Sequence, residues 1–105
     1  MNKTENDLRI LLHAPTAAAL ARARSNAANL TKEAPQATVR IVVNADAVVA
    51  VLDQANAAAD PITLVCPNTL SKLGRSAHAP LTVLSEGAVL ALARMQIGGW
   101  CYIRA

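Results

Sequence analysis

The sequence has almost no aromatic residues: Trp100 and Tyr102 are the only two among 105 residues, and phenylalanine is absent. Without aromatic rings among the basic residues, the chain lacks the stacking platform that binds single-stranded nucleic acids. Ten lysines and arginines against seven acidic residues give a formal net charge of +3, but they form no continuous basic block. Dedicated nucleic-acid binding is therefore not expected, and an accessory role on nucleic acid is the weakest of three functional hypotheses.

Cysteine is scarce as well: Cys66 and Cys101 are the only two, and their spacing matches neither a Cys-x-x-Cys redox motif nor a zinc knuckle. No apolar run approaches the length that spans a bilayer, and residues 1–7 lack the apolar core of a signal peptide. The phosphate-binding glycine motifs and the Gly-x-Ser-x-Gly elbow are also missing. We therefore expect a cytoplasmic protein with reduced thiols, no cofactor, no metal site and no membrane partner.

The sequence is rich in small apolar residues: 53% of it is hydrophobic, and alanine supplies much of that share. Its length fits one domain, predicted over residues 8–105, after a disordered or extended segment at residues 1–7. Alanine contacts bury little area each, so the core should be thin. A thin core favours self-association, and we expect a homo-oligomer.

Apolar, β-branched runs alternate with helical patterns along the chain. Strands are predicted at 8–13, 38–43, 62–65, 81–84 and 100–104, and helices at 17–32, 47–58, 67–73 and 86–97. Thr16 and Ser85 are the expected N-caps, and Gly74 is the expected residue after the third helix. This alternation predicts an α/β fold, a three-layer α/β/α domain with a mainly parallel sheet of about five strands.

Polar and reactive side chains follow the predicted strands. Because parallel strands end at a common edge of the sheet, these residues should gather there. They are His13, Asn44, Asp46, Cys66, Ser85 and Glu86. His78 precedes a strand and is expected towards the opposite edge.

Cys66 is the candidate catalytic residue. It ends the third strand, and Pro67 opens a short helix whose free N–H groups would stabilise a thiolate, with Asn68 and Thr69 facing the sulfur. A buried cysteine acting as a small hydrophobic residue is the open alternative. Cys101, inside the last strand, is predicted to lie in the core or at an interface.

Among the other polar residues, His13, Lys72 and Arg75 have two interpretations each. His13 is either a base or polar wall beside Cys66, or a hydrogen-bonded structural histidine. Asn44 and Asp46 are explained by turn formation, and Ser85 and Glu86 by helix capping. Lys72 and Arg75 either attract an anionic substrate or form a solvated surface.

Two segments resemble the DsrE/DsrF-like family: Cys66-Pro67-Asn68-Thr69-Leu70, and the helix, glycine pair and Trp-Cys-Tyr-Ile-Arg ending over residues 91–104. The resemblance covers residues 8–104, and Asn44 matches a small polar position at the end of the second strand. It implies a small α/β/α domain that assembles into trimers or hexamers. In sulfur-relay relatives, a cysteine matched here by Cys66 carries sulfur as a persulfide between donor and acceptor proteins.

Two main functions stay open from the sequence. The first is a sulfur carrier or sulfurtransferase that holds a persulfide on Cys66. The second is a non-catalytic oligomeric module whose pocket binds a small molecule or a protein partner. In either case the expected ligand-binding residues are His13, Asn44, Asn68, Thr69 and Glu86.

Overall fold

The computed structural model describes residues 7–105, so the predicted N-terminal segment lies outside the described residues except for Asp7. Strands and α-helices alternate along the described chain. In order they are β1 Arg9–Ala14, α1 Ala17–Glu33, β2 Thr38–Val43, α2 Asp46–Asp53, β3 Thr63–Val65, α3 Pro67–Leu73, β4 Thr82–Val83, α4 Ala88–Ile97 and β5 Cys101–Arg104. The predicted α/β class is confirmed.

The five strands form one parallel sheet in the order β4-β3-β2-β1-β5. The chain steps in one direction from β1 to β4 and then crosses back, so that β5 pairs with β1. Right-handed crossovers place helices on one face while the chain moves one way, and on the other face when it reverses. Accordingly α1 and α2 cover one face, where Leu70 of α3 also packs, and α4 covers the other, which gives the three-layer α/β/α architecture.

The face under α1 and α2, called the closed face here, holds the larger core. Alternate strand residues point to opposite faces, so Ile10 and Leu12 of β1 and Ile41 and Val43 of β2 point into it. They pack against buried residues of the two helices, such as Leu20 of α1. Alanines in α1 and α2 let the helices approach the sheet closely, as the composition predicts.

The opposite face, called the α4 face here, has a smaller core. Its buried members are Leu11, Val42, Cys66, Ala88 and Leu92. Three apolar side chains of α4 stay exposed: Val89 by 73%, Leu90 by 47% and Ile97 by 89%. One helix therefore covers the face incompletely.

Several local predictions are confirmed. Thr16 caps α1, with its hydroxyl accepting from the backbone N–H of Ala19 at 3.0 Å. Gly74 follows α3 in the left-handed conformation, with φ of +62°. No helix within residues 7–105 has both the length and the hydropathy needed to cross a membrane.

Three local predictions are wrong. The second helix ends at Asp53 rather than 58, because the Asn56 side chain accepts from the N–H of Ala59 and diverts the backbone into a turn. The fourth helix begins at Ala88, with Gly87 as N-cap in place of Ser85. The core placement of Cys101 is also wrong, because β5 is an edge strand and this cysteine is exposed.

Candidate functional site

Cys66 lies where β3 ends and α3 begins, as the sequence predicts. Its backbone N–H donates to the carbonyl of Val43 at 3.0 Å, which extends the β2–β3 pairing by one residue. Its side chain points to the α4 face, where the backbone N–H of Ala88 donates to Sγ at 3.4 Å. The sulfur therefore lies between the N-terminal ends of α3 and α4, at the positive end of two helix dipoles.

Burial and hydrogen bonding act in opposite directions on the Cys66 thiol. Burial raises its pKa, but donors around the sulfur lower it by more, so the pKa lies below the usual value of a cysteine. The donors are the N–H groups of Ala88, Thr69 and Asn68 and the hydroxyl of Thr69. Hydrogen bonds to the charged form favour that form, so this environment stabilises a thiolate.

A cleft of about 700 Å³ opens beside Cys66, between α3 and α4. One wall is polar, formed by Asn44, Asn68, Thr69 and Lys72. The other wall is formed by α4 and is apolar, with Val89, Leu90 and Ala93. Cys66 is only 5% exposed, and since it lines the cleft, a reagent reaches the sulfur from there.

Thr69 connects the sulfur to the loop after β2. Its hydroxyl oxygen accepts from the backbone N–H of Ala45 at 3.2 Å, which leaves the hydroxyl proton for the sulfur of Cys66. Ala45 has φ of +49°, a conformation that residues with a side chain rarely adopt. Strained backbone of this kind concentrates at functional sites, and here it lines the cleft.

Gly87 allows close packing between α3 and the start of α4. A Cβ atom at this position would lie 2.7 Å from Nδ2 of Asn68. Glycine therefore lets the Asn68 side chain lie against the N-cap of α4, on the cleft wall.

His13 and Asn44 are hydrogen-bonded to each other at the carboxyl edge. His13 Nε2 lies 2.9 Å from Asn44 Oδ1, and its Nδ1 lies 2.6 Å from the hydroxyl of Tyr102. Because an amide oxygen only accepts, Nε2 is the donor to Asn44, and the direction of the second hydrogen bond, between Nδ1 and the hydroxyl of Tyr102, depends on the tautomer of the ring. Asn44 lines the cleft, whereas His13 stands behind it.

The remaining predicted residues are not among the described residues that line the cleft. Glu86 forms an ion pair with Arg94 at 3.0 Å and is not among the described residues that line the cleft. Asp46 and Ser85 are exposed, as is His78, whose loop precedes β4. Arg75 pairs with Asp53 at 2.9 Å, so of the two expected anion-attracting residues only Lys72 lines the cleft.

Sequence reasoning missed Ala45, Gly87 and Tyr102. Positive φ at an alanine carries no sequence signal, and the contact of Gly87 with Asn68 depends on how two helices meet. The role of Tyr102 follows from the pairing of β5 with β1, which sets Tyr102 opposite Leu11, two residue pairs from His13. Placing the last strand beside the first would have revealed it.

Metal ligands do not converge in the described part of the chain, where no three His, Cys, Asp or Glu side chains are grouped to hold an ion. What the site offers is a thiolate-stabilising cysteine, neutral hydrogen-bond donors and one lysine beside an apolar wall. Such a set suits nucleophilic chemistry on a small or anionic group.

No family model matches the chain, and no curated protein matches it either. Membership of the DsrE/DsrF-like family therefore stays a prediction that rests on the sequence motifs.

Proposed function

We propose that the protein is a DsrE-like sulfur carrier that holds a persulfide on Cys66. The observation that supports this most is the position of the Cys66 sulfur, between the N-termini of α3 and α4 and open to a cleft. A thiolate is the nucleophilic form of cysteine, and this environment lowers the pKa of the thiol. The matched Cys-x-Asn-Thr-Leu segment supplies these same donors from Asn68 and Thr69.

The proposed step is a thiolate attack on a sulfane sulfur. Sγ of Cys66 forms a new S–S bond with the terminal sulfur of a donor persulfide or polysulfide. The S–S bond of the donor breaks, and its electron pair leaves on the donor as a thiolate or a shortened polysulfide. The step balances without an oxidant, and the reverse attack by an acceptor thiolate releases the sulfur.

The incompletely covered α4 face is the surface on which we expect partners to bind. Val89 and Leu90 at the cleft, and Ile97 at the other end of α4, present exposed apolar surface, and such surface commonly marks contacts with other proteins. We propose that it contacts either another copy in a trimer or hexamer or a sulfur donor or acceptor protein. Reduced thiols suit the cytoplasmic location expected from the sequence.

Mass spectrometry tests the proposed function. After incubation with polysulfide under non-reducing conditions, the intact Cys101→Ser variant should gain the mass of one or more sulfur atoms. The matched Cys66→Ser variant, which keeps the exposed Cys101, should gain much less. Equal loading of the two variants, or no loading of Cys101→Ser, would overturn the proposal.

A non-catalytic binding module is the second candidate, because Cys66 is 95% buried and the α4 wall of the cleft is apolar. Under this hypothesis Cys66 is a packing residue. Substituting Cys66 by serine would then leave ligand or partner binding intact, whereas Val89→Asp, on the apolar wall, would abolish it.

A further inference from the structure

We propose that Tyr102 and His13 are positioning residues that hold the Asn44 amide with its N–H donors towards the Cys66 cleft, so that the site selects anionic sulfur donors. The inference rests on the proposed function of Cys66. It adds a substrate class, small anions that carry sulfane sulfur, and it adds two residues that line no part of the cleft.

The hydrogen bonds that join Tyr102, His13 and Asn44 determine which end of the Asn44 amide is free. In the tautomer that carries the ring proton on Nε2, Nδ1 of His13 accepts from the hydroxyl of Tyr102 across 2.6 Å. The ring proton is donated to Oδ1 of Asn44 across 2.9 Å. The amide oxygen is therefore engaged, and in this tautomer a rotated amide would place its N–H donors against the N–H of Nε2.

The amide nitrogen of Asn44 has no partner within residues 7–105: the hydrogen bond to His13 is the only one made by the side chain. Asn44 lines the cleft together with Cys66. Since the oxygen faces His13, the two N–H groups are what the side chain offers to a ligand. An amide donor presented in this way favours a negative charge.

The charge of the cleft lining agrees with an anionic ligand. Lys72 is the only charged side chain among the described lining residues, and it forms no ion pair within residues 7–105. No acidic side chain is among the described residues that line the cleft, and Glu86, which precedes the lining residue Gly87, pairs with Arg94. A polysulfide or persulfide anion would meet donors from Asn44 and Lys72 and no carboxylate.

Two alkylating reagents of nearly equal size test this selectivity. Iodoacetate is an anion and iodoacetamide is neutral, and the same thiolate attacks the carbon of either reagent and displaces iodide. The ratio of their rate constants at Cys66 therefore reports the charge preference of the cleft, while changes in the thiolate fraction or in accessibility cancel. The measurement uses the Cys101→Ser variant as parent, so that only Cys66 is modified.

Asn44→Ala and His13→Asn should each lower the iodoacetate-to-iodoacetamide ratio roughly fivefold, as expected for one partly solvated hydrogen bond to a charged group. Tyr102→Phe should lower it about twofold, because the ring of His13 stays but its proton position is no longer fixed. His13→Gln, whose amide N–H can reach Asn44 as Nε2 does, should keep the parental ratio.

An unchanged ratio in both Asn44→Ala and His13→Asn would overturn the inference. If His13→Asn does not fold, Asn44→Ala and Tyr102→Phe together decide it, because neither residue lies in the core. The two measurements distinguish failure of the proposed function from failure of this inference. Sulfur loading with an unchanged iodoacetate-to-iodoacetamide ratio in the variants rejects only the positioning role. A changed ratio without sulfur loading rejects the persulfide carrier and leaves an anion-selective cleft.

Discussion

The strand residues are buried on both faces of the sheet, but the helices differ: Leu20 of α1 is fully buried on the closed face, whereas α4 on the other face leaves Leu90 half-exposed and Ile97 almost fully exposed. The reason lies in the strand order. Three crossovers in one direction carry α1, α2 and α3, and Leu70 of α3 joins the larger core, whereas the single return crossover delivers only α4 to the other face. The larger core therefore lies on one face, and the opening to Cys66 lies on the other.

The closed face therefore mainly stabilises the fold, and the α4 face carries the candidate catalytic cysteine. A nucleophile needs an approach route, and close packing on the closed face provides none. On the α4 face, incomplete cover exposes apolar surface but opens the cleft beside the sulfur. We expect substitutions on the closed face to act mainly on the free energy of unfolding, and those around the cleft to act on the reactivity of Cys66.

The largest loss in the free energy of unfolding is expected where a substitution would leave a buried charge without its ion-pair partner. Asp60 is buried and pairs with Arg24 of α1 at 3.3 Å, while Nε of Arg24 has no hydrogen-bond partner. Asp60→Asn should lower the free energy of unfolding by about 3–5 kcal/mol, because the guanidinium stays buried without a counter-charge. Urea titration measures this loss.

The exposed pair of Asp53 and Arg75 is the control. Asp53→Asn should cost less than about 1 kcal/mol, since solvent screens both partners. Equal losses for Asp53→Asn and Asp60→Asn would contradict the burial assigned to Arg24 and Asp60.

A pair of identical substitutions compares the two faces directly. Leu20 of α1 is fully buried on the closed face, and Leu90 of α4 is 47% exposed on the other. Leu20→Ala should cost about 2–4 kcal/mol through lost contacts and a cavity. Leu90→Ala should cost less than about 1 kcal/mol at low protein concentration.

The same urea titrations, repeated at several protein concentrations, sharpen this comparison. A Leu90→Ala loss that grows with concentration would indicate that another copy covers the α4 face, as proposed for the homo-oligomer. A loss as large as that of Leu20→Ala at the lowest concentration would contradict the incomplete cover of this face.

A smaller effect of opposite sign is expected at Ala45, where the cleft meets the end of β2. Glycine adopts a φ of +49° without strain, so Ala45→Gly should raise the free energy of unfolding by about 1 kcal/mol. The control is Ala50→Gly in the interior of α2, which should lower it by about 1 kcal/mol. Destabilisation by both substitutions would show that Ala45 is unstrained.

Much of the fold could be predicted from the sequence because the local signals agree with one another. The run 38–43 is β-branched and forms a strand with those bounds, and Thr16 and Gly74 bound α1 and α3 as expected. The second helix is overestimated because its alanines favour a helix beyond Asp53. The asparagine turn at Asn56, which competes with that preference, is visible only once its partners are placed.

The site could be predicted only in part. The convergence of His13, Asn44 and Cys66 at one edge follows from parallel strands alone. The pairing of Tyr102 with His13 depends on β5 lying beside β1, and the ion pair of Glu86 with Arg94 depends on where α4 begins. Such contacts join parts of the chain whose spacing carries no motif, so that only the three-dimensional arrangement reveals them.

The pH dependence of Cys66 alkylation tests the central claim most directly. In the Cys101→Ser variant, the iodoacetamide rate is measured against pH for the folded protein and for the same chain unfolded in urea. Burial alone would raise the pKa of Cys66, but the donors from Ala88, Thr69 and Asn68 outweigh it. The thiolate should therefore persist to lower pH in the folded protein, and the rate profile should shift to lower pH. A folded profile that coincides with the unfolded one, or lies at higher pH, would contradict a thiolate-stabilising site at Cys66.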